Sequence, residues 1–119
     1  MINWKKQNDK EIFMEKEAYG VPYLTFSLLN TLPMVKHAFS TRLGGVSKGE
    51  FSSLNFITTR GDTKEAVDAN YKIIEKVLDT PREKMVIAHQ MHTTNVLEVG
   101  KKDAGKGTIY PRDYQNIDG

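Results

Sequence analysis

The sequence contains no cysteine, which excludes disulfides and thiolate chemistry within it and suits a reducing compartment. It has no apolar run near the roughly 20 residues that a membrane-spanning helix needs. Its first ten residues, MINWKKQNDK, lack the apolar segment of a signal peptide. The expected location is therefore the cytoplasm, with no membrane partner. Charge of one sign is missing as well: 17 Lys and Arg stand against 15 Asp and Glu, a net +2. The lysines at Lys5-Lys6, Lys101-Lys102 and Lys106 are scattered, whereas a nucleic-acid surface gathers its basic residues on one face. No nucleic-acid partner is expected. Histidine is scarce too, with three in the chain.

What is present is ordinary for a globular protein: 39% hydrophobic and 27% charged residues over 119 positions. That length holds at most one domain. It is enough to bury a core, since a domain of this size removes roughly two-thirds of its unfolded surface from water. There is no internal repeat and no low-complexity tract.

Residues 1–11 are polar and read as a frayed start or a short edge element. Ile12-Phe13-Met14 and Tyr23-Leu24-Thr25-Phe26 flank Gly20-Val21-Pro22 and read as a hairpin or two adjacent strands. Leu28 to Leu32 reads as a short turn, and Val35 to Thr41 as a strand that enters a glycine-rich loop. The clearest helix is Thr63 to Leu78. Asp62 and Glu65 have capping-box spacing. Ala66, Val67, Asn70, Tyr71, Ile74, Val77 and Leu78 recur at helical period. Asn70 is the polar member of that face, which marks it as a buried hydrogen-bonding residue. Thr80-Pro81 ends the helix. Met85 to Gln90 and Asn95 to Val99 read as strands, and Thr108-Ile109-Tyr110 as a brief one. Asp118-Gly119 has the chemistry of a turn between elements.

Several residues carry candidate chemistry. His89 and His92 would share a face on a helix, but their flanks favour strands, where positions three apart face opposite ways. A zinc site needs three or four ligands, so these spacings alone make no site. Arg42 enters a loop where Gly44 and Gly45 expose backbone N–H groups. Such a loop is either an anion cradle, with the planar Arg fork suited to phosphate, or a tight turn. Asn55 is either a turn former or a polar site residue. Asp62 is better explained as a helix cap than as a general base. The serines have no His and acid partners at triad-like positions, so a serine hydrolase is excluded.

Together these motifs resemble the YfiH/YlmD family, also called the laccase-domain family. The match runs through His37-Ala38-Phe39-Ser40-Thr41-Arg42, Gly44-Gly45-Val46-Ser47 and Ser53-Leu54-Asn55. It continues through Gly61-Asp62, Val67, Asn70, His89-Gln90-Met91-His92, Val96 and Asp118, and so covers most of residues 35–99. The resemblance implies an α+β fold, a mixed sheet with packed helices, of which residues 1–119 would be the N-terminal portion, apparently truncated. It implies a zinc ion held by two histidines and one cysteine, with the first histidine in a Gln-x-His-Gly motif. Here that motif is Gln90-Met91-His92, with Thr93 in place of glycine. His92 is thus the metal ligand and catalytic residue the resemblance assigns. The cysteine and second histidine have no counterpart in this sequence.

The resemblance further implies purine nucleoside phosphorylase activity on a purine nucleoside and phosphate, with adenosine deaminase activity also attributed to the family. Arg42, Gly44, Gly45, Asn55 and Gln90 are then the candidate substrate- and phosphate-binding residues. An older family name, polyphenol oxidase, fits poorly, because a multicopper centre needs many histidines. The alternative is a non-catalytic module that assembles through exposed sheet edges, as a homo-oligomer or with a complementary half.

Overall fold

A computed structural model describes Lys5 and residues 7–119. The expectation for residues 1–11, and Lys6, thus lies partly outside the described residues. The chain forms two compact units, Met1–Asp79 and Thr80–Gly119.

In the first unit, β1 (Phe13–Ala18), β2 (Val21–Phe26) and β3 (Phe39–Ser40) form an antiparallel sheet in that order. β1 and β2 are a hairpin with Ala18 opposite Val21 and Phe13 opposite Phe26. Tyr19 and Gly20 make the turn, with φ of 53° and 77°. Positive φ at both central residues is the geometry whose twist matches that of the strands. β3 is much shorter than the expected Val35–Thr41. Its register sets Leu24 opposite Phe39, and continued backward it would bring His37 opposite Phe26. There the His37 ring intervenes: Phe26 N–H donates to Nε2 at 2.7 Å, so the ladder stops. The α+β class holds, but the sheet is antiparallel rather than mixed. A parallel pair needs a crossover of about a dozen residues or more, usually a helix. The link from β2 to β3 is instead occupied by a 3-10 turn at Leu29–Thr31.

The single α-helix among the described residues, α1, spans Lys64–Leu78. Its cap is Thr63, whose side chain accepts from Ala66 N–H. The capping-box reading of Asp62 is thereby corrected: the helix begins one residue later, and Asp62 bonds to a neighbouring loop. α1 ends at Asp79, which takes the left-handed conformation and donates its N–H to Glu75 and Lys76 carbonyls. It buries Val67, Asn70, Tyr71 and Ile74, the stripe its periodicity indicated. The other buried apolar side chains among the described residues are Val21 of β2 and Leu54, while Phe56 packs its ring 5.1 Å from Tyr71.

The second unit is held chiefly by hydrogen bonds. None of the buried apolar side chains belongs to it; its buried side chains, Asp103 and Thr108, are polar. The expected strands at 85–90 and 95–99 are not formed as strands, and only the bridge between His89 and Ile117 survives. The physical reason is that these segments bond to the end of the chain. Ile117 N–H donates to His89 O, Leu97 N–H to Gly119 O, and both Asp118 and Gly119 N–H to Asn95 O. Side chains take further carbonyls, Tyr114 Oη on Ile87 O and Arg112 Nη1 on Ala88 O, each at 2.7 Å. The brief strand expected at 108–110 is a turn in which Gly105 O accepts from Thr108, Ile109 and Tyr110 N–H. Among the described residues no helix is long and apolar enough to cross a membrane.

Candidate functional site

His92 sits at the tip of the turn after Gln90, with its backbone in the left-handed region at φ 60°. A residue with a side chain occupies that region only when its surroundings hold it there. The holding group is the Asp118 carboxylate. Oδ1 accepts from Met91 and Thr93 N–H, and Oδ2 from His92 N–H, all at 3.0 Å. The Thr93 hydroxyl lies 2.9 Å from Oδ1 and 3.0 Å from Asn116 O. Successive N–H groups converging on one anion form a nest. These N–H donors, Met91 and Thr93 foremost, hold the Asp118 carboxyl down at about 2.

The three histidines divide by what their rings do. His37 accepts from Phe26 N–H and His89 Nδ1 accepts from Asn116 N–H at 3.2 Å. Both rings therefore substitute for backbone acceptors. The His92 ring makes no hydrogen bond among the described residues and is exposed, as is Gln90. The second unit also holds a small cleft of about 150 Å³, lined chiefly by Val86, Ala88, Leu97, Val99, Tyr114 and Ile117.

The remaining candidates lie in the first unit. Gly44, at φ +93°, passes so close to the hairpin turn that a Cβ there would meet Gly20 O at 2.6 Å. At Gly45 a Cβ would meet Ser53 O at 2.1 Å. Gly45 N–H donates to Ser53 Oγ. Arg42 is exposed and directs Nε at Ser52 O and Nη2 at Glu50 O, at 3.0 and 2.9 Å. Its fork thus braces the loop, leaving Nη1 unbonded among the described residues.

Asn55 donates to Ile57 O and to Asp62 Oδ2, and accepts from Ile57 N–H. Asp62 also accepts from Ser47 Oγ at 2.6 Å and from Thr63 N–H at 2.8 Å. Asn70, fully buried, accepts from Val46 N–H and donates to Ser47 Oγ and Asn55 O. Asn70 is therefore the buried hydrogen-bonding residue the helix pattern marked. The structure gathers Arg42, Gly44, Gly45 and Asn55 into this one loop system, and Gln90 and His92 into the turn of the second unit.

Sequence reasoning missed two parts of this arrangement. It gave Asp118 no role, although the aspartate accepts from Met91, His92 and Thr93 N–H. It also read Asp62 as a cap, where the carboxylate joins Ser47 to Asn55. Asp118 matched the resemblance, but a contact spanning 26 residues has no local signature.

His92 offers one nitrogen to a metal. Among the described residues no group of three or more His, Cys, Asp or Glu is arranged to hold one. The donors of this chain alone therefore do not fit a complete tetrahedral zinc site.

Residues 36–119 match the family model described as multi-copper polyphenol oxidoreductase laccase. The chain is 37% identical over 68 residues to purine nucleoside phosphorylase YlmD of Geobacillus stearothermophilus, covering 57% of this chain and 25% of that one. It is 32% identical over 77 residues to a purine nucleoside phosphorylase of Bacteroides thetaiotaomicron, covering 65% and 28%. The crystal structure of YlmD from G. stearothermophilus superposes with a TM-score of 0.70 at 31% identity, over 83% of this chain and 35% of that one. The crystal structure of Bacillus licheniformis YfiH gives a TM-score of 0.69 at 27% identity, over 84% and 35%. These two also bear out the α+β fold and its likeness to the YfiH fold. The chain spans between a quarter and a third of the length of the curated relatives it matches.

Proposed function

The chain belongs to the multi-copper polyphenol oxidoreductase laccase family, and from that membership we propose that it supplies part of a purine nucleoside phosphorylase-like site. The relatives' names motivate the substrate class, a purine nucleoside and phosphate. The observation that carries the reading within this chain is the His92 ring. It is the one histidine ring among the described residues that no backbone group uses, and it stands on a turn fixed by a carboxylate. In this reading His92 is the ligand this chain gives to a zinc ion whose other ligands lie outside it. Held there, such an ion would supply Lewis-acid chemistry. The work belongs in the cytoplasm, in keeping with a cysteine-free composition.

The chain's own residues have simpler tasks. Phosphorolysis requires charge on phosphate and on the departing base to be stabilised in fixed positions. Arg42 retains N–H donors on Nη1 while its other nitrogens brace the loop, so its charge is held in place with donors to spare. Gly44, Gly45 and Asn55 shape that loop, and Gln90 flanks His92. Deamination of adenosine is the alternative chemistry, in which water attacks C6 of the purine ring and ammonia leaves.

The test is phosphate-dependent release of hypoxanthine from inosine by the complete protein. His92→Ala is expected to lower kcat by about 100-fold or more with an unchanged circular dichroism spectrum. Full activity in that variant removes His92 from the site. An unsubstituted protein that turns over adenosine to inosine, but cleaves no nucleoside with phosphate, shifts the assignment to deamination. A second reading, a non-catalytic module that assembles, has its own support in the exposed apolar residues Leu28, Met34 and Val96.

A further inference from the structure

We infer that Asp118 is the positioning residue for His92: its carboxylate occupies the nest of the Met91–Thr93 turn and thereby fixes where the His92 imidazole points. The inference rests on the reading of His92 given above and extends it to a residue that acts through the turn.

Three observations carry it. First, the turn offers consecutive N–H groups, from Met91, His92 and Thr93, and all are satisfied by one side chain. Second, His92 holds a left-handed backbone, a conformation that residues other than glycine adopt uncommonly and at a cost. Third, Asp118 is itself anchored apart from the turn. Ile117 N–H is bonded to His89 O, Asp118 and Gly119 N–H to Asn95 O, and Gly119 O to Leu97 N–H. The carboxylate is thus a fixed post on which the turn is hung. Thr93 adds a hydroxyl contact to the same oxygen. A nest of this kind would otherwise attract phosphate. With Asp118 in it, the substrate anion is directed elsewhere.

The distribution of bonds makes the test specific. Asp118→Asn keeps one acceptor oxygen. Facing Met91 and Thr93, that oxygen preserves two of the backbone bonds and sets an NH2 group against His92 N–H. Asp118→Ala empties the nest. Amide hydrogen exchange and phosphorolysis of inosine are measured on the complete protein and both variants. Asp118→Asn is expected to speed exchange at His92 more than at Met91 or Thr93. Both variants should lower kcat by about 10–100-fold, as loss of orienting partners does, with KM for inosine and phosphate nearly constant. Added formate should restore kcat to Asp118→Ala by refilling the nest, while chloride at equal ionic strength should not.

Unchanged amide exchange in Asp118→Asn overturns the clamp. Faster exchange with kcat intact overturns the positioning role. Loss of kcat that formate leaves unrescued, with a general loss of exchange protection across residues 80–119, identifies Asp118 as merely structural and also overturns it. If Asp118→Ala does not fold, Asp118→Asn carries the same decision through its exchange pattern and its kcat to KM split. Full activity in His92→Ala defeats the functional reading separately, and the exchange data still report on the clamp.

Discussion

Asp62 illustrates how one side chain sets a local dependence on pH. Its carboxylate accepts from Asn55, Ser47 and Thr63, and these bonds, Asn55's first, lower its pKa in the folded chain. A carboxyl lowered on folding contributes stability above the unfolded value of about 3.9 and loses it as pH falls through the folded value. Asp62→Asn should therefore lower the melting temperature at neutral pH. The gap to the unsubstituted protein should narrow as pH drops below about 4. Melts followed by circular dichroism at descending pH measure that gap, and one that stays constant throughout contradicts the assignment. Asn70 works beside it as the neutral counterpart. It is fully buried with its amide engaged by Val46, Ser47 and Asn55, so this buried polar cluster is satisfied rather than strained.

At the level of elements, α1 was legible because its buried residues recur at helical spacing, and an error of one residue at its start changed only the cap. Thr63→Ala removes the side-chain acceptor for Ala66 N–H and should cost about 1 kcal/mol in a urea titration of the helical signal. No measurable change would return the capping role to Asp62. The hairpin was legible from two apolar runs around Gly20, though the left-handed Tyr19 beside it was not. The segments at 85–90 and 95–99 have strand-like composition yet form no ladder. Their partners, Arg112, Tyr114 and Asn116 to Gly119, come from the end of the chain, and composition reports propensity without naming a partner. The same limit hid Asp118. Arg42, Gly44 and Gly45 were found as a loop by type, but the carbonyls the Arg42 fork would take depended on how residues 50–53 fold back.

Over the whole chain, the balance of buried and exposed apolar residues argues for association. The buried apolar side chains, Val21, Leu54, Val67, Tyr71 and Ile74, all belong to the first unit. In the second unit Val96 is 79% exposed, and Met91, Val99, Ile109 and Tyr110 are exposed with it. Hydrogen bonds and the Lys106 pairs with Asp103 and Asp113 hold that unit, but such bonds do little to keep apolar surface from water. Sheet edges are the weaker route to assembly. β1 carries Glu15, Lys16 and Glu17 along its length and β3 is two residues long, and both charge and brevity blunt edge pairing. Exposed apolar side chains, Leu28 and Met34 of the first unit and Val96 of the second among them, are the stronger route, since exposed apolar surface marks contact sites. The 119-residue chain should accordingly give a mass above 13.5 kDa by light scattering, rising with concentration. Val96→Lys with Val99→Lys should bring it back toward the monomer without altering the melt of α1, whose core lies in the other unit. A monomer at every concentration would show that these side chains sit in water without cost enough to drive assembly.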